Sequence, residues 1–257
     1  MAPLGLDHIL EAAPRHLERY RELTAPLAHV EKGIRRSELF FLYAAVADEP
    51  PARIVESGRA RAQSTLVLSS LFPEAEIVSI ESDAQSPDVA IAAERLRERR
   101  NVECLFGDSR VLLPEVVRAG DVVLIDGPKD FRAVKLALQL LAAGKPRAVF
   151  VHDLWEGSLA RPFVERWLPW VFFSDAPDWL RAYIVLDFKR RRIPAVPDAR
   201  RIVYGATMGC FPAGPANFRA GLFRCAVKES MERLRVNLGM MPPDSALVRP
   251  PDLTVVA

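Results

Sequence analysis

Ala52-Arg-Ile-Val-Glu-Ser-Gly-Arg-Ala-Arg-Ala-Gln-Ser-Thr65 carries the pattern on which the fold turns. Ala52–Glu56 reads as a strand, Gly58 marks a turn, and the apolar pattern from about Ala62 to Phe72 reads as a helix. The same unit recurs downstream. Glu76–Glu81 is a second strand, followed by a helix with Ser86 as N-cap and Pro87 at its first position, running to about Arg99. Val102–Phe106 is a third strand, with a helix over about Ser109–Arg118. Asp121–Asp126 is a fourth. Its helix takes Asp130 as cap, presents Phe131, Val134, Leu138 and Leu141 on one face, and stops at Gly144. Arg147–His152 is the fifth strand. Strands one β-α unit apart predict an α/β fold, a Rossmann-like, doubly wound, mostly parallel sheet with helices on both faces.

Outside this core the pattern changes. Leu6–Leu23 and Ser37–Ala47 read as helices, so residues 1–50 form an N-terminal helical cap. Past residue 157 come a helix near Leu159–Trp167 and β-like stretches at Trp170–Ser174, Ala182–Phe188 and Ile202–Phe211. A helix from about Asn217 to Leu238 and a proline-rich tail complete the chain. The expected organisation is 1–50 cap, 51–212 Rossmann-like domain, and 213–257 C-terminal helix and tail belonging to the same domain.

Composition narrows the class. Half of the 257 residues are hydrophobic, and the formal net charge is +2, which excludes a disordered chain. No apolar run is long enough for a membrane span, and the N-terminus lacks the features of a signal peptide. Cys104, Cys210 and Cys225 are too few and too scattered for a disulfide framework or a zinc site, which points to a reducing cytoplasm. The charge is too mild, and interleaved aromatics too few, for a nucleic-acid surface. The expected partner is a small molecule, with no nucleic acid and no membrane. The apolar Leu39-Phe-Phe-Leu42 run fits either core or the interface of a homo-oligomer. Glycine is scarce, at 13 residues, for a nucleotide-binding α/β protein.

In an open parallel sheet, ligands bind beyond the carboxyl ends of the strands. Glu56, Glu81, Asp108, Asp126 and Asp153 stand at or just after those ends, more carboxylates than solvation of one edge requires. Glu81 ends the second strand about 20 residues after the first turn, where an acidic side chain accepts ribose hydroxyls. The first turn holds only Gly58. A dinucleotide fingerprint needs several glycines there so that the backbone can approach a pyrophosphate. The turn therefore argues against an NAD-linked oxidoreductase.

Glu56-Ser-Gly58, four residues, then Gln63-Ser64-Thr65 resembles the first motif of class I S-adenosylmethionine (SAM)-dependent methyltransferases. Ile77–Glu81 resembles their ribose-binding second strand, and Gly107-Asp108-Ser109 the turn against the adenine. Asp126-Gly-Pro-Lys129-Asp130 resembles the D-x-x-K-D segment of the catechol and caffeoyl-CoA O-methyltransferase group. Leu154-Trp-Glu-Gly-Ser158 resembles the segment after that group's second metal-binding site, and Lys32-Gly33 a K-G near its cofactor. The resemblance covers about residues 27 to 160. It implies SAM as cofactor, held by Glu56, Gly58, Ser64, Glu81, Asp108, Ser109 and Asp126, and methylation of a small hydroxylated molecule. It also implies Lys129 as catalytic base and Asp126 as a catalytic group that binds a divalent metal such as Mg²⁺, joined by Asp153 and His152.

The chain departs from that pattern in two places. Ala62 stands where the family has its second loop glycine, with Ala60 two positions before it, so the loop is expected to follow a different path if those residues need positive φ. His152-Asp153-Leu154 stands where the family has an adjacent Asp-Asn pair, and an imidazole ligand shifts preference toward transition metals. These departures leave an alternative open, a SAM-binding homologue without methyl transfer that serves as a binding or assembly module. His8 and His16 read as surface residues, and His29 as a candidate for the cofactor mouth. Lys189–Arg192 reads as a solvated run that, with Arg200 and Arg201, could take an anionic substrate. Trp155, Trp167, Trp170 and Trp179 read as packing after the fifth strand.

Overall fold

The computed structural model describes residues 4–29, 33–187, 202–203, 207–214, 218–240 and 254–255. Strands β1 (Arg53–Ser57), β2 (Glu76–Glu81), β3 (Val102–Phe106), β4 (Val122–Ile125), β5 (Ala148–Val151), β6 (Phe172–Phe173) and β7 (Gly209–Pro212) form one sheet in the order β3-β2-β1-β4-β5-β7-β6. The first five are parallel, and β7 runs antiparallel to both β5 and β6. Between them lie α3 (Gln63–Leu71), α4 (Asp88–Leu96), α5 (Ser109–Val116) and α6 (Asp130–Ala142). The chain is a doubly wound, mostly parallel α/β protein of Rossmann-like type.

Strand periodicity explains why helices cover both faces. Ile54, Ile77, Val122, Leu124, Ala148 and Phe150 enter one hydrophobic core, whereas their neighbours Val55, Val78, Val123, Ile125, Val149 and Val151 enter the other. Consecutive side chains point to opposite faces, so a strand that is apolar throughout must be covered twice. The first core is closed by α1 (Leu6–Thr24) and α2 (Arg36–Val46). Leu39, Phe40, Phe41 and Leu42 of α2 are wholly buried, so this run is core and not a subunit interface. Phe41 meets Phe150 of β5 edge-on at 6.5 Å. On the opposite face, α6 lays Phe131, Val134, Leu138 and Leu141 into the second core. It is backed by α9 (Phe218–Asn237) through a Lys135–Glu229 ion pair. The outer side of α9 leaves Phe223, Val227, Met231 and Leu234 exposed.

Over 182–187, the described part of the strand expected at Ala182–Phe188, the chain is helical and not a strand. Pro177 opens helix α8 (Pro177–Tyr183), and a 3₁₀ turn over Ile184–Asp187 follows, with α7 (Arg161–Trp167) preceding this region. The β-branched and aromatic content suggested a strand. Tertiary packing decides otherwise, because Trp179 and Tyr183 stack on Phe40 with ring centroids 5.4 and 5.0 Å away. Ser86 does not cap α4 as the N-cap residue; its hydroxyl accepts from the Asp88 N–H at 3.3 Å, and the helix begins at Asp88. Asp130 is the first residue of α6, with Lys129 in the cap position.

Among the described residues no helix is long and apolar enough to cross a membrane. The run Lys189–Arg192, Arg200 and Arg201, and Lys32 of the Lys32-Gly33 pair, lie outside the described residues.

Candidate active site

The strand order sets the place. β2 lies on one side of β1 and β4 on the other, so the loops leaving β1 and β4 diverge and open a crevice at the carboxyl edge. A cleft of ≈ 470 Å³ opens there, lined by Gly58, Ile80, Ser82, Asp108–Arg110, Gly127–Lys129 and Arg132. That volume is in the range of small-molecule and cofactor pockets.

Gly58 is required where it stands. Its φ is +87°, and a Cβ added to it would lie 2.9 Å from the backbone of Asp126 and Gly127. The β1 and β4 loops are thus pressed together at the floor of the cleft. The N–H groups of Gly58 and Arg59 donate to the Ile80 carbonyl, which turns the loop across β2. Ala60 and Ala62 then take φ of +42° and +57°. Both alanines hold the left-handed conformation that a glycine would take with less strain. Ala62 stays because its methyl is buried among Leu66, Ala92 and Leu96.

Glu81 reaches back to this loop. Its Oε2 accepts from the Ala60 N–H at 2.8 Å, and its Oε1 accepts from the Ser82 N–H at 2.8 Å. A carboxylate therefore sits on the loop donor that a bound phosphate would need. Asp108 caps α5 through the Arg110 N–H and pairs with the Arg110 guanidinium at 2.6 Å, while Ser109 Oγ donates to the Gly127 carbonyl. Glu56 and Ser64 lie beneath the cleft and do not line it. Glu56 is wholly buried and accepts from Thr65 at 2.5 Å and Ser79 at 2.8 Å, with Oε1 lacking a partner among the described residues. Burial pushes its carboxyl above the usual range, against the hydrogen bonds that favour the anion. Its place is to tie α3 to β2 under the loop.

The charged cluster stands beside the cleft where β4 and β5 end. Lys129 Nζ lies 2.5 Å from Asp126 Oδ1 and 2.6 Å from Asp153 Oδ2. His152 Nδ1 lies 2.7 Å from Asp126 Oδ1, and its Nε2 lies 3.3 Å from Glu38 Oε2. Burial works against the charges of Lys129, Asp126 and His152, and the opposite charges outweigh it. Lys129 is raised above the usual lysine range by Asp126 and Asp153, and Asp126 is held below the carboxylate range by Lys129 and His152. His152 is raised well above the ordinary histidine value by Asp153, Asp126 and Glu38. The two carboxylates thus favour the ammonium form of Lys129, which weighs against the base role the resemblance implies.

Asp126, His152 and Asp153 offer one donor atom each within 4.8 Å of one another. The trio does not fit a divalent cation as it stands, because Lys129 bridges both of its carboxylates. Sequence reasoning missed Glu38, and its signal was a lone carboxylate opening an otherwise apolar helix. It also missed Arg110 and Arg132, which make part of the cleft basic. His29 is not among the residues lining the cleft, Trp179 is core, and Trp170 packs edge-on against Phe211.

The chain matches no family model and no curated protein. Among solved structures it is similar to the O-methyltransferase TomG from Streptomyces achromogenes, in complex with SAM, at 15% identity, covering 83% of this chain and 100% of that one, with a TM-score of 0.48. It is similar to an O-methyltransferase from Bacillus cereus in complex with SAH at 13% identity, 79% and 90% coverage and a TM-score of 0.44. A precorrin-6y C5,15-methyltransferase from Geobacter metallireducens gives 16% identity, 58% and 80% coverage and a TM-score of 0.44. At such values the functional reading rests on the site's own residues.

Proposed function

We propose that this protein is a SAM-dependent methyltransferase acting on a hydroxyl of a small molecule. The observation that carries this is the Glu81 carboxylate at the end of β2, between Ile80 and Ser82 of the cleft lining and hydrogen-bonded to the Ala60 N–H. An acidic side chain there suits two ribose hydroxyls. The same negative charge opposes the pyrophosphate of a dinucleotide, so the preference is for a nucleoside carrying a sulfonium. Glu81 and the loop at Gly58 would hold the ribose side, and Asp108 and Ser109 the base. Bound SAM supplies an electrophilic methyl group, and the protein supplies position and electrostatics. The acceptor oxygen forms the new O–C bond while the C–S pair returns to sulfur, leaving S-adenosylhomocysteine. The hydroxyl proton passes to Asp153, which is less committed than Asp126 to hydrogen bonds within the cluster. Lys129, as ammonium, stabilises the oxygen as charge develops on it. The partner is a small-molecule acceptor in a reducing cytoplasm, with no nucleic acid and no membrane.

One observation favours the second reading, a SAM-binding module without methyl transfer. Lys129, the expected base, stands between the Asp126 and Asp153 carboxylates, which favours its ammonium form. Isothermal titration with SAM and NADH, followed by a methyl-transfer screen over hydroxylated acceptors, separates the readings. SAM binding with turnover supports the proposal. SAM binding without turnover leaves the module, and NADH binding without SAM binding overturns both.

A further inference from the structure

The place where the resemblance puts a divalent metal is filled from within the chain. Lys129 Nζ stands between Asp126 Oδ1 and Asp153 Oδ2 at 2.5 and 2.6 Å, close enough for a charge-assisted hydrogen bond to each. Asp126 Oδ1 takes a second contact from His152 Nδ1 at 2.7 Å. A histidine that ligates a metal turns one nitrogen to the ion and the other to an outer partner. His152 follows that pattern, with Nε2 on the buried Glu38 and Nδ1 turned inward to Asp126, so its inward nitrogen converges on the carboxylates that Lys129 bridges. The backbone holds this arrangement. Asp153 and Asp130 both have positive φ, +61° and +51°, although neither is glycine. Such residues persist only where the surroundings over-determine them. One of them aims the carboxylate that takes Lys129. The other follows Lys129 directly and accepts the Leu159 N–H at 3.1 Å, which anchors the start of α6.

We infer that Lys129 is the resident cation of this site. Its ammonium occupies the position that a divalent ion would need, and Asp126, His152 and Asp153 bind no such ion while Lys129 is present. Only the link to catalysis rests on the methyltransferase reading; the exclusion of the ion follows from the side chains themselves. Because the three donor groups remain, removing the ammonium should expose a divalent site.

The probe is Mn²⁺ alone, titrated into the full chain and followed by the electron paramagnetic resonance signal of the free ion. The wild type should leave that signal unchanged up to about 1 mM. Lys129→Met should take up one Mn²⁺ per chain at least about tenfold more tightly, and Lys129→Met/Asp153→Asn should lose most of that gain. Wild type binding Mn²⁺ as tightly as Lys129→Met overturns the inference. So does a Lys129→Met chain that keeps its near-ultraviolet circular dichroism and binds none. A thermal melt of the wild type needs no variant: about 5 mM Mn²⁺ should leave Tm within about 1 °C, and a clear rise overturns the inference. Failure to bind SAM sinks the proposed function and leaves these outcomes standing, so the two are separately testable.

Discussion

Replacing the two left-handed alanines by glycine should have unequal effects, and the inequality tests the path of the cofactor loop. Ala60 and Ala62 hold φ of +42° and +57°. An L-residue there bears a strain of roughly 1–2 kcal/mol that glycine does not. Glycine also widens the unfolded ensemble, which opposes the gain by about 0.4–1 kcal/mol. At Ala60 the methyl is exposed and nothing further is lost, so Ala60→Gly should stabilise by about 0.8 kcal/mol. At Ala62 the methyl is wholly buried, and losing it removes about 0.8 kcal/mol of apolar burial, so Ala62→Gly should be near neutral. Urea unfolding with an unchanged m-value measures both, and the Ala60→Gly melt should rise by about 2–3 °C. Equal shifts in the two variants, or destabilisation by Ala60→Gly, would refute the left-handed loop.

Glu81→Gln removes the charge but not the shape, and should weaken SAM by about 10- to 100-fold in isothermal titration, the size of a lost charge-assisted hydrogen bond; a change under about twofold contradicts its ribose role. Lys129→Met should lower kcat by at least about 100-fold with the SAM Kd within a few-fold, since the ammonium acts on the developing oxyanion; full activity dismisses that role. Glu56 has a folded pKa raised above its ordinary 4.5 by burial, so the folded state holds its proton longer and loses stability as pH rises from 4.5 through the folded value. Glu56→Gln should therefore gain on the wild type as pH rises above 4.5 in paired melts, and a gap independent of pH would falsify the burial cause.

The sequence by itself determined the layers of this protein. Strand runs such as Ile54-Val55 and Val122-Val123-Leu124-Ile125 are apolar on both faces, and that local period requires a sheet covered twice. It also placed Gly58 in the turn and Glu81 at the strand end, because both follow from their distance along one β-α unit. Tertiary structure decided the rest. Glu38 meets His152 across 114 residues, and Asp153 meets Lys129 only because β5 lies beside β4. Packing on Phe40 made a helix of a segment rich in β-formers. The role of Lys129 shows the reason most clearly. A residue's type names the chemistry it can do. Its protonation depends on the charges around it, here two carboxylates that strand order brings to one edge.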